Sequence, residues 1–401
     1  MARRPSPDTT IGRSIRTRRQ ARGWSVRHAA DRAGLAHTSW SRIERGLMSA
    51  DNRFTLAAIA EALECSIPDL TGTPAPSTDR ETVAAQASVH PICQALIDLD
   101  LTEPGTQQAR PMPELEREAL LLRDLWVRCD YAGAGRLLPG LLRELHTTAG
   151  GPDRMPALRS LVDAAFVASS TVRHLGHPAE AWLAAERCRT AAEILEDPVL
   201  IGLAAVAHVQ AAGGAGSYGR SLSAATRAAG NLQGHTDAPG SLEVMGTLQL
   251  ASANACRALK RPDDSGTWVT EAAELAQRTG DTTTLWLWFG PTNVNLWRIS
   301  MEVDGGDPGR AVRIARSTNP AAIPAHMRQV AFHTDTARAL AHTRQDREAV
   351  RHLLVAERAA PQYVHSSGLV RETTRGLLER AQRQAAGGEL RGLCERMGLS
   401  V

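Results

Sequence analysis

Aromatic residues are scarce in this chain, and lysine is almost absent. Only 4% of the 401 residues are aromatic, while Ala, Leu, Arg and Glu dominate. Strands favour aromatic and β-branched residues, so this composition is typical of packed helices. Lys260 is the only lysine, and it does not stand in the Gly-rich motif of a phosphate-binding loop. We expect an all-α protein, which at this length folds as at least two units.

Paired cysteines and long apolar runs are also missing. The six cysteines lie far apart, with no C-x-x-C pair and no histidine at zinc-finger spacing. This argues against a metal site and a disulfide framework. The first ten residues contain no apolar stretch of a signal peptide, and the longest apolar tract, near 200–214, is interrupted by His208 and Gln210. The sequence therefore predicts a cytoplasmic protein with no membrane partner, metal or cofactor.

Sequence motifs of catalysis are absent as well. The chain contains no H-E-x-x-H, no G-x-S-x-G and no kinase signature. Residues 214–219 match a dinucleotide-binding fingerprint letter by letter, but no strand precedes them, so we expect a loop between two helices. The sequence predicts no catalytic residue and no enzymatic activity.

Positive charge is concentrated at the N-terminus. Residues 1–60 contain 12 Arg and four acidic residues, a net charge of +8, whereas the rest of the chain carries −5. This asymmetry suggests that the N-terminal part meets a polyanion. A solvated arginine-rich surface is the alternative that composition leaves open.

Residues 11–70 predict five short helices separated by turn signals. The expected boundaries are a first helix from Ile11 that stops at Gly23, a second over 26–33 capped by Ser25, a third over 37–45 stopped by Gly46, a fourth over 56–63 capped by Thr55, and a fifth opened by Ser66. The second and third helices carry the residues that a steeply crossing helix pair needs, namely Val26, Ala30, Gly34, Leu35, Trp40 and Ile43. We expect these residues to dock the third helix onto the second.

Residues 29–35 and 39–46 carry a family resemblance. The patterns Ala-Ala-x-x-Ala-Gly-Leu and Ser-Trp-Ser-Arg-Ile-Glu-Arg-Gly resemble the phage-repressor (Cro/cI-like, Xre) helix-turn-helix family over residues 11–70. Trp40 departs from that family, which usually has a small β-branched residue there. In the family, the third helix enters the major groove of DNA.

The resemblance implies roles for individual side chains. Base contacts are expected from His37, Thr38, Ser41 and Arg42, and phosphate contacts from Ser25, Val26, Arg45 and Arg53. Arg19 and Glu44 are expected to form a partly buried, structural ion pair that joins the first helix to the third.

Beyond a linker predicted at 71–80, residues 81–401 carry a spaced repeat. Gly176-x-Pro-x-x-Ala181 recurs as Gly306-x-Pro-x-x-Ala311, with weaker copies at 130–135, 219–224, 262–265 and 344–349. The copies follow one another at steps of 38 to 46 residues, about one long helix hairpin. The pattern resembles the tetratricopeptide-repeat (TPR) superfamily, although that family repeats at about 34 residues and its Trp-Leu-Gly-Tyr signature is absent.

One segment of the repeat region, 285–297, is rich in aromatic residues. Its three Trp, one Phe and two Asn surround Gly290-Pro291, a pair expected to kink a helix. Aromatic faces and amides suit a peptide or a small amphipathic ligand, and the candidate ligand residues are Asn254, Trp286, Trp288, Asn293 and Trp297. The alternative is that these aromatic side chains fill the core of the repeats.

Taken together, the two regions resemble the orphan Xre-TPR regulators of high-GC bacteria and, more distantly, the Rap/Rgg/PlcR group. The resemblance implies a homodimer on a palindromic DNA operator, with a repeat domain that senses a peptide or small-molecule signal and mediates dimerisation. A second interpretation is a TPR-type protein-interaction adaptor with a secondary or vestigial DNA-binding head.

Overall fold

The computed structural model describes residues 10–72, 79–103, 105, 108–382 and 388–399. Every regular element within these ranges is a helix, as the composition predicts. Residues 10–72 form a small N-terminal domain, called the head, and residues from 79 onward form the array. Most of the predicted linker, 73–78, lies outside the described residues. None of the described helices is long and apolar enough to cross a membrane.

Five helices form the head: α1 (Ile11–Ala21), α2 (Val26–Arg32), α3 (His37–Glu44), α4 (Arg53–Ala62) and α5 (Ile67–Thr71). Ser25 caps α2 as predicted, with its hydroxyl oxygen accepting the amide N–H of His28 at 3.1 Å. The predicted cap of α4 is wrong. Asn52, not Thr55, is the cap, and its side-chain oxygen accepts the Thr55 amide N–H at 2.8 Å, so α4 begins three residues earlier than expected.

A single apolar cluster holds the head together. Trp40, Ile15 and Ile43 are fully buried in it, so the outer face of α3 is set by the burial of its inner face. The indole N–H of Trp40 donates to a Glu44 carboxylate oxygen at 2.6 Å. A tryptophan fits at this position because its one polar atom finds an acceptor on the same helix.

The array is a stack of consecutive antiparallel helices. Two short helices, α6 (Arg80–Ala87) and α7 (Val89–Asp98), precede six hairpins, which are α8 (Met112–Val127) with α9 (Tyr131–Ala149), α10 (Arg154–His174) with α11 (Pro178–Ile194), α12 (Pro198–Gly214) with α13 (Tyr218–Leu232), α14 (Ser241–Ala258) with α15 (Pro262–Thr279), α16 (Pro291–Asp304) with α17 (Pro308–Arg316), and α18 (His326–His342) with α19 (Asp346–Ala359). The chain continues through α20 (Pro361–Ser366), α21 (Gly368–Gln382) and α22 (Gly388–Arg396).

Every copy of the repeated sequence motif lies at the start of the second helix of a hairpin. In the two clearest copies a glycine with positive φ, Gly176 or Gly306, ends the turn, and a proline opens the helix where its missing N–H is harmless. The alanines that close these copies, Ala181 and Ala311, are fully buried, because only a small side chain fits where two helices touch. The motif therefore recurs because each hairpin needs the same turn and the same close contact between its two helices.

Residues 280–290 differ from the sequence prediction. Gly290-Pro291 does not kink a helix, because Pro291 is the first residue of α16 and the preceding residues form a loop with one 3-10 turn at Thr284–Trp286. Trp286 and Trp288 have left-handed backbone conformations, with φ of 59° and 49°. Such values are uncommon for bulky residues and mark a strained segment.

The last helices of the array return to the first. The side-chain amide of Gln362 in α20 accepts the Ala132 amide N–H at 2.9 Å and donates to Asp130 at 3.2 Å, and α20 also contacts α6. The array thus closes on itself around a central space, and the head lies against it.

Candidate DNA-binding interface and central cavity

The outer face of α3 is polar and open to solvent. His37, Thr38 and Arg42 are exposed and Ser41 is half-buried, whereas Trp40 and Ile43 on the other side are buried. The alternation follows from the helical period of 3.6 residues. The four residues that the sequence predicts as base contacts therefore lie together on one accessible surface.

An ion pair fixes α3 against α1. The Arg19 guanidinium donates to both carboxylate oxygens of Glu44, at 2.6 and 2.8 Å, and to the Trp24 carbonyl at 2.7 Å. Hydrogen bonding to Glu44 raises the pKa of Arg19. The bidentate geometry restricts rotation as well as distance, so the pair sets how α3 is presented.

Three predicted phosphate-contacting residues lie at the N-terminal end of α2 and just after α3. Ser25 is exposed at the N-terminal end of α2, where free backbone amides suit an anion, and Val26 is half-buried beside it. Arg45 is exposed just after α3, and its Nε donates to the Ser41 carbonyl at 3.2 Å. Ser25 and Arg45 are therefore open to solvent at the ends of the second and third helices.

The fourth, Arg53, lies at the junction between the head and the array. Its guanidinium donates to Asp304 at 2.7 Å, to Asp335 at 2.8 Å and to the Ser300 hydroxyl at 3.0 Å, all on the array. Burial alone would lower the pKa of Arg53, but the charges of Asp335 and Asp304 raise it well above its usual value. Two carboxylates of the array therefore already hold this guanidinium.

The segment 50–53 is where the head is bonded to the array. The Asp51 carboxylate accepts from the Thr373 hydroxyl at 2.8 Å and lies 3.0 Å from the His342 ring nitrogen Nε2. Arg338 is almost fully buried and bonds the Asp51 carbonyl and the carboxylates of Asp304 and Asp335. The junction is therefore a buried network of charges that joins the two domains.

Burial and pairing act in opposite directions on Asp51. Burial would raise the pKa of this carboxyl group, but hydrogen bonds from His342 and Thr373, together with the charges of His342 and Arg338, lower it to about 2. Asp51 is therefore ionised at neutral pH although it is only 2% exposed.

Apolar contacts complete the junction. The rings of Phe54 and Tyr218 meet edge to face with centroids 5.5 Å apart, and Ala57 packs with Tyr218 and Ala255. The single lysine, Lys260, donates to the Gly34 carbonyl at 3.3 Å, in the turn that precedes α3. The head thus docks through segment 50–57, through α5 and through the turn before α3, and the exposed residues of α3 remain outside the contact.

Two adjoining cavities lie under the docked head. Their volumes are about 480 and 270 Å3, and they share seven lining residues, which are Arg53, Arg173, His174, Gly213, Gly214, Tyr218 and Tyr363. The larger cavity has a wall from the head that includes Leu56, Ile67 and Pro68. The smaller one lies deeper in the array.

The structure brings four of the five predicted ligand residues together. Asn254, Trp286, Trp288 and Trp297 line the smaller cavity. Asn293 does not; it is completely buried, and neither polar atom of its amide has a partner among the described residues. Sequence reasoning missed Arg173, Arg328 and Tyr363, which line the same cavity from α10, α18 and α20.

Within the described ranges, no group of three or more His, Cys, Asp or Glu side chains could hold a metal ion. The six cysteines are free thiols, and four of them are buried. Burial raises the pKa of Cys129 and Cys188 to about 12, so neither is poised as a nucleophile.

Comparison with known proteins identifies the head. Residues 10–71 match the family model of a helix-turn-helix domain. No curated protein matches the chain. The matched range covers α1 to α5, so the exposed helix α3 belongs to a helix-turn-helix domain, and the array follows it as a separate helical region.

Proposed function

We propose that this chain, with its helix-turn-helix domain at residues 10–71, is a sequence-specific DNA-binding transcription regulator. The observation that carries the proposal is the two-sided character of α3. Its inner face is buried in the head, while His37, Thr38 and Arg42 are exposed although the head is docked on the array. A helix in this position enters the major groove in helix-turn-helix proteins.

In this proposal the outer face of α3 reads bases. Arg42 is the strongest candidate, because a guanidinium donates two hydrogen bonds to O6 and N7 of guanine. Thr38 and Ser41 supply hydroxyl groups, and His37 stands at the N-terminal end of α3, the end that meets base edges. Together they cover about one and a half helical turns, enough to read a few base pairs.

Phosphate contacts position the head without reading sequence. We assign them to the exposed amides at the start of α2, beside Ser25 and Val26, and to Arg45. The net charge of +8 over residues 1–60 supports binding to a polyanion. Arg53 has no part in these contacts while its guanidinium is bonded to Asp304 and Asp335.

We further propose that the array is a TPR-like solenoid that senses a signal and mediates dimerisation. The cavities support sensing, because residues of the head and of the array line the same space, so a bound molecule would touch both. A homodimer would place two heads on half-sites about one turn of DNA apart, roughly 34 to 36 Å. Sedimentation equilibrium of the full chain measures whether it is a dimer.

Selection of DNA by the full chain tests the DNA-binding proposal. Wild-type protein incubated with a pool of random duplexes should enrich one sequence with two-fold symmetry. Arg42→Ala should weaken binding to that duplex by roughly 5- to 150-fold and bind scrambled DNA almost as the wild type does. Arg351→Ala, an exposed arginine of the array, is the matched control and should change neither affinity.

Two results would refute the proposal. One is a wild-type protein that enriches no sequence from the pool. The other is an Arg42→Ala protein that binds the enriched duplex as tightly as the wild type, because α3 would then not be the element that reads DNA.

A further inference from the structure

Two arginines of the array have no acidic partner in the described part of the chain. Arg173, in the last turn of α10, and Arg328, in the first turn of α18, both line the cavity of about 270 Å3. Among the described residues, no carboxylate forms an ion pair with either guanidinium. Arg173 reaches Gln210 and His174 at 3.3 Å each, and Arg328 reaches the Leu287 carbonyl at 3.4 Å. These long bonds to neutral groups are weak substitutes for the pairing that buried charges usually have.

Their surroundings disfavour positive charge. Burial lowers the pKa of Arg328 to about 10, and the nearby charge of Arg173 adds to the effect. Burial also lowers the pKa of Arg173. Both remain cationic near neutral pH, so each is a site where a negative charge would be stabilised.

Several hydrogen-bond donors of this cavity are also unused. The Nε–H groups of Arg173 and Arg328 and the indole N–H of Trp297 are buried and have no acceptor in the described part of the chain. Buried donors in folded proteins are nearly always satisfied. Three residues that line this cavity thus each carry an unsatisfied donor, which is consistent with a site for an acceptor from outside the chain.

Other charged groups of the cavity do not neutralise these arginines. Asp335 is the acidic residue on the cavity lining, but its carboxylate already accepts hydrogen bonds from Arg53 and Arg338. Burial and the charge of Arg173 lower the pKa of His174 well below its usual value, so this ring is neutral. The cavity thus keeps an excess of positive charge.

The rest of the lining is aromatic. Four of the eight tryptophans of the chain line this cavity, and they are Trp126, Trp286, Trp288 and Trp297. The Trp126 and Trp288 rings lie 5.5 Å apart, and Trp286 lies 6.3 Å from Trp288. The strained backbone at Trp286 and Trp288 directs two of these side chains to the cavity. Such walls suit a planar apolar group.

We propose that this cavity binds a small amphipathic organic anion. Its carboxylate, phosphate or sulfonate group accepts N–H bonds from Arg173 and Arg328, and its apolar part lies among the tryptophans. The site deepens the sensing role proposed above and rests on it only for the expectation that ligand binding affects the head. That expectation follows from Arg53, a residue of the head that lines the same cavity and forms an ion pair with Asp304 of the array.

The experiment uses two fluorescent probes that differ by one charged group. The anionic probe is 8-anilinonaphthalene-1-sulfonate, and the neutral one is N-phenyl-1-naphthylamine, which lacks the sulfonate. Binding to the full chain is measured by energy transfer from tryptophan, in the absence of DNA. The variants are Arg173→Gln and Arg328→Gln. Arg159→Gln, on the exposed face of α10, is the matched control for the loss of one positive charge.

Wild-type protein should bind the sulfonate at one site per chain. Arg173→Gln and Arg328→Gln should each weaken it by about 30-fold or more, because a buried charge pair is lost, and should leave the neutral probe unchanged. Arg159→Gln should bind both probes as the wild type does. Arg328→Lys, which keeps the charge, should recover part of the affinity and shows that a loss in Arg328→Gln is not a folding defect.

The proposal is overturned if the wild type does not bind the sulfonate, or if both Gln variants bind it as tightly as the wild type. It is overturned as well if the two Gln variants lose both probes equally, since the charge would then be irrelevant. These outcomes are independent of DNA selection. A failed probe experiment leaves the DNA-binding proposal intact, and a failed selection leaves the anion site intact.

Discussion

The head has two arginine-bearing surfaces: one is exposed to solvent, and the other is bonded to the array. On α3, Arg42 is exposed and Arg45 makes one bond to a backbone carbonyl close by. At the start of α4, Arg53 is bonded to two carboxylates and a hydroxyl of the array. In sequence the three residues are equivalent members of one basic cluster, within 12 positions of each other.

The difference shows that positive charge in a DNA-binding head has two uses. An arginine that meets no acid within the chain can face a polyanion, whereas one that meets Asp304 and Asp335 docks the head onto its own array. Burial distinguishes them, because the acids around Arg53 are nearly inaccessible to solvent. Each of the predictions below therefore perturbs one surface and leaves the other intact.

The largest effect is expected at the docked surface, from Arg338→Ala. This side chain is about 1% exposed and is bonded to Asp304, to Asp335 and to the Asp51 carbonyl, so its loss leaves two buried carboxylates with Arg53 as their one remaining guanidinium partner. The free energy of unfolding should fall by about 3 to 5 kcal/mol, measured by urea denaturation. Arg351→Ala, an exposed change on α19, should stay within about 0.5 kcal/mol of the wild type. Equal stabilities would mean that the junction network does not hold the domains.

The second-largest effect is expected from low pH, which should weaken the bonding between the head and the array. The pKa of Asp51 is about 2 in the folded protein, whereas an unperturbed aspartate side chain has a pKa of 3.8. Because the folded value is the lower one, ionised Asp51 stabilises the protein above about pH 4, and this contribution is lost as the pH falls toward 2. It amounts to about 2 to 3 kcal/mol. Urea denaturation of wild type and Asp51→Asn at pH 6, 4 and 3 should show the gap between them closing; a constant gap would contradict the assignment.

The smallest effect compares the two surfaces directly in DNA binding. Arg45→Ala and Arg53→Ala remove the same charge from the same head, but only Arg45 faces the proposed DNA side. Arg45→Ala should reduce the slope of log affinity against log salt by about one, and Arg53→Ala should leave the slope unchanged. The slope is measured by fluorescence anisotropy on the selected duplex. Equal reductions would erase the distinction between the surfaces.

Local signals predicted most of the fold. Helix caps, turn glycines and the 3.6-residue apolar period act over a few residues, which is why the five helices of the head and the starts of the second array helices could be predicted. The errors at Thr55 and at Gly290-Pro291 have a common origin. Each motif fits two local conformations, and the tertiary contacts of Asn52 and of the 280–290 loop decide between them.

The exposed face of α3 was predictable because it lies within one helix. The docking of Arg53 was not, since its partners Asp304 and Asp335 stand some 250 and 280 positions away and carry no sequence motif. Likewise, the tryptophans of the cavity could be singled out because aromatic residues are rare in this chain. Arg173 and Arg328 could not, because they are two among many arginines. That neither has an acidic partner among the described residues is visible only in three dimensions.

The central claim is that α3 binds DNA and that the segment 50–54, which bonds the head to the array, does not contact DNA. Hydrogen–deuterium exchange of the full chain, with and without the selected duplex, tests this most directly. We predict new protection from exchange in residues 37–45 upon DNA binding and no new protection in 50–54. Protection gained in 50–54 with none in 37–45 would contradict the account.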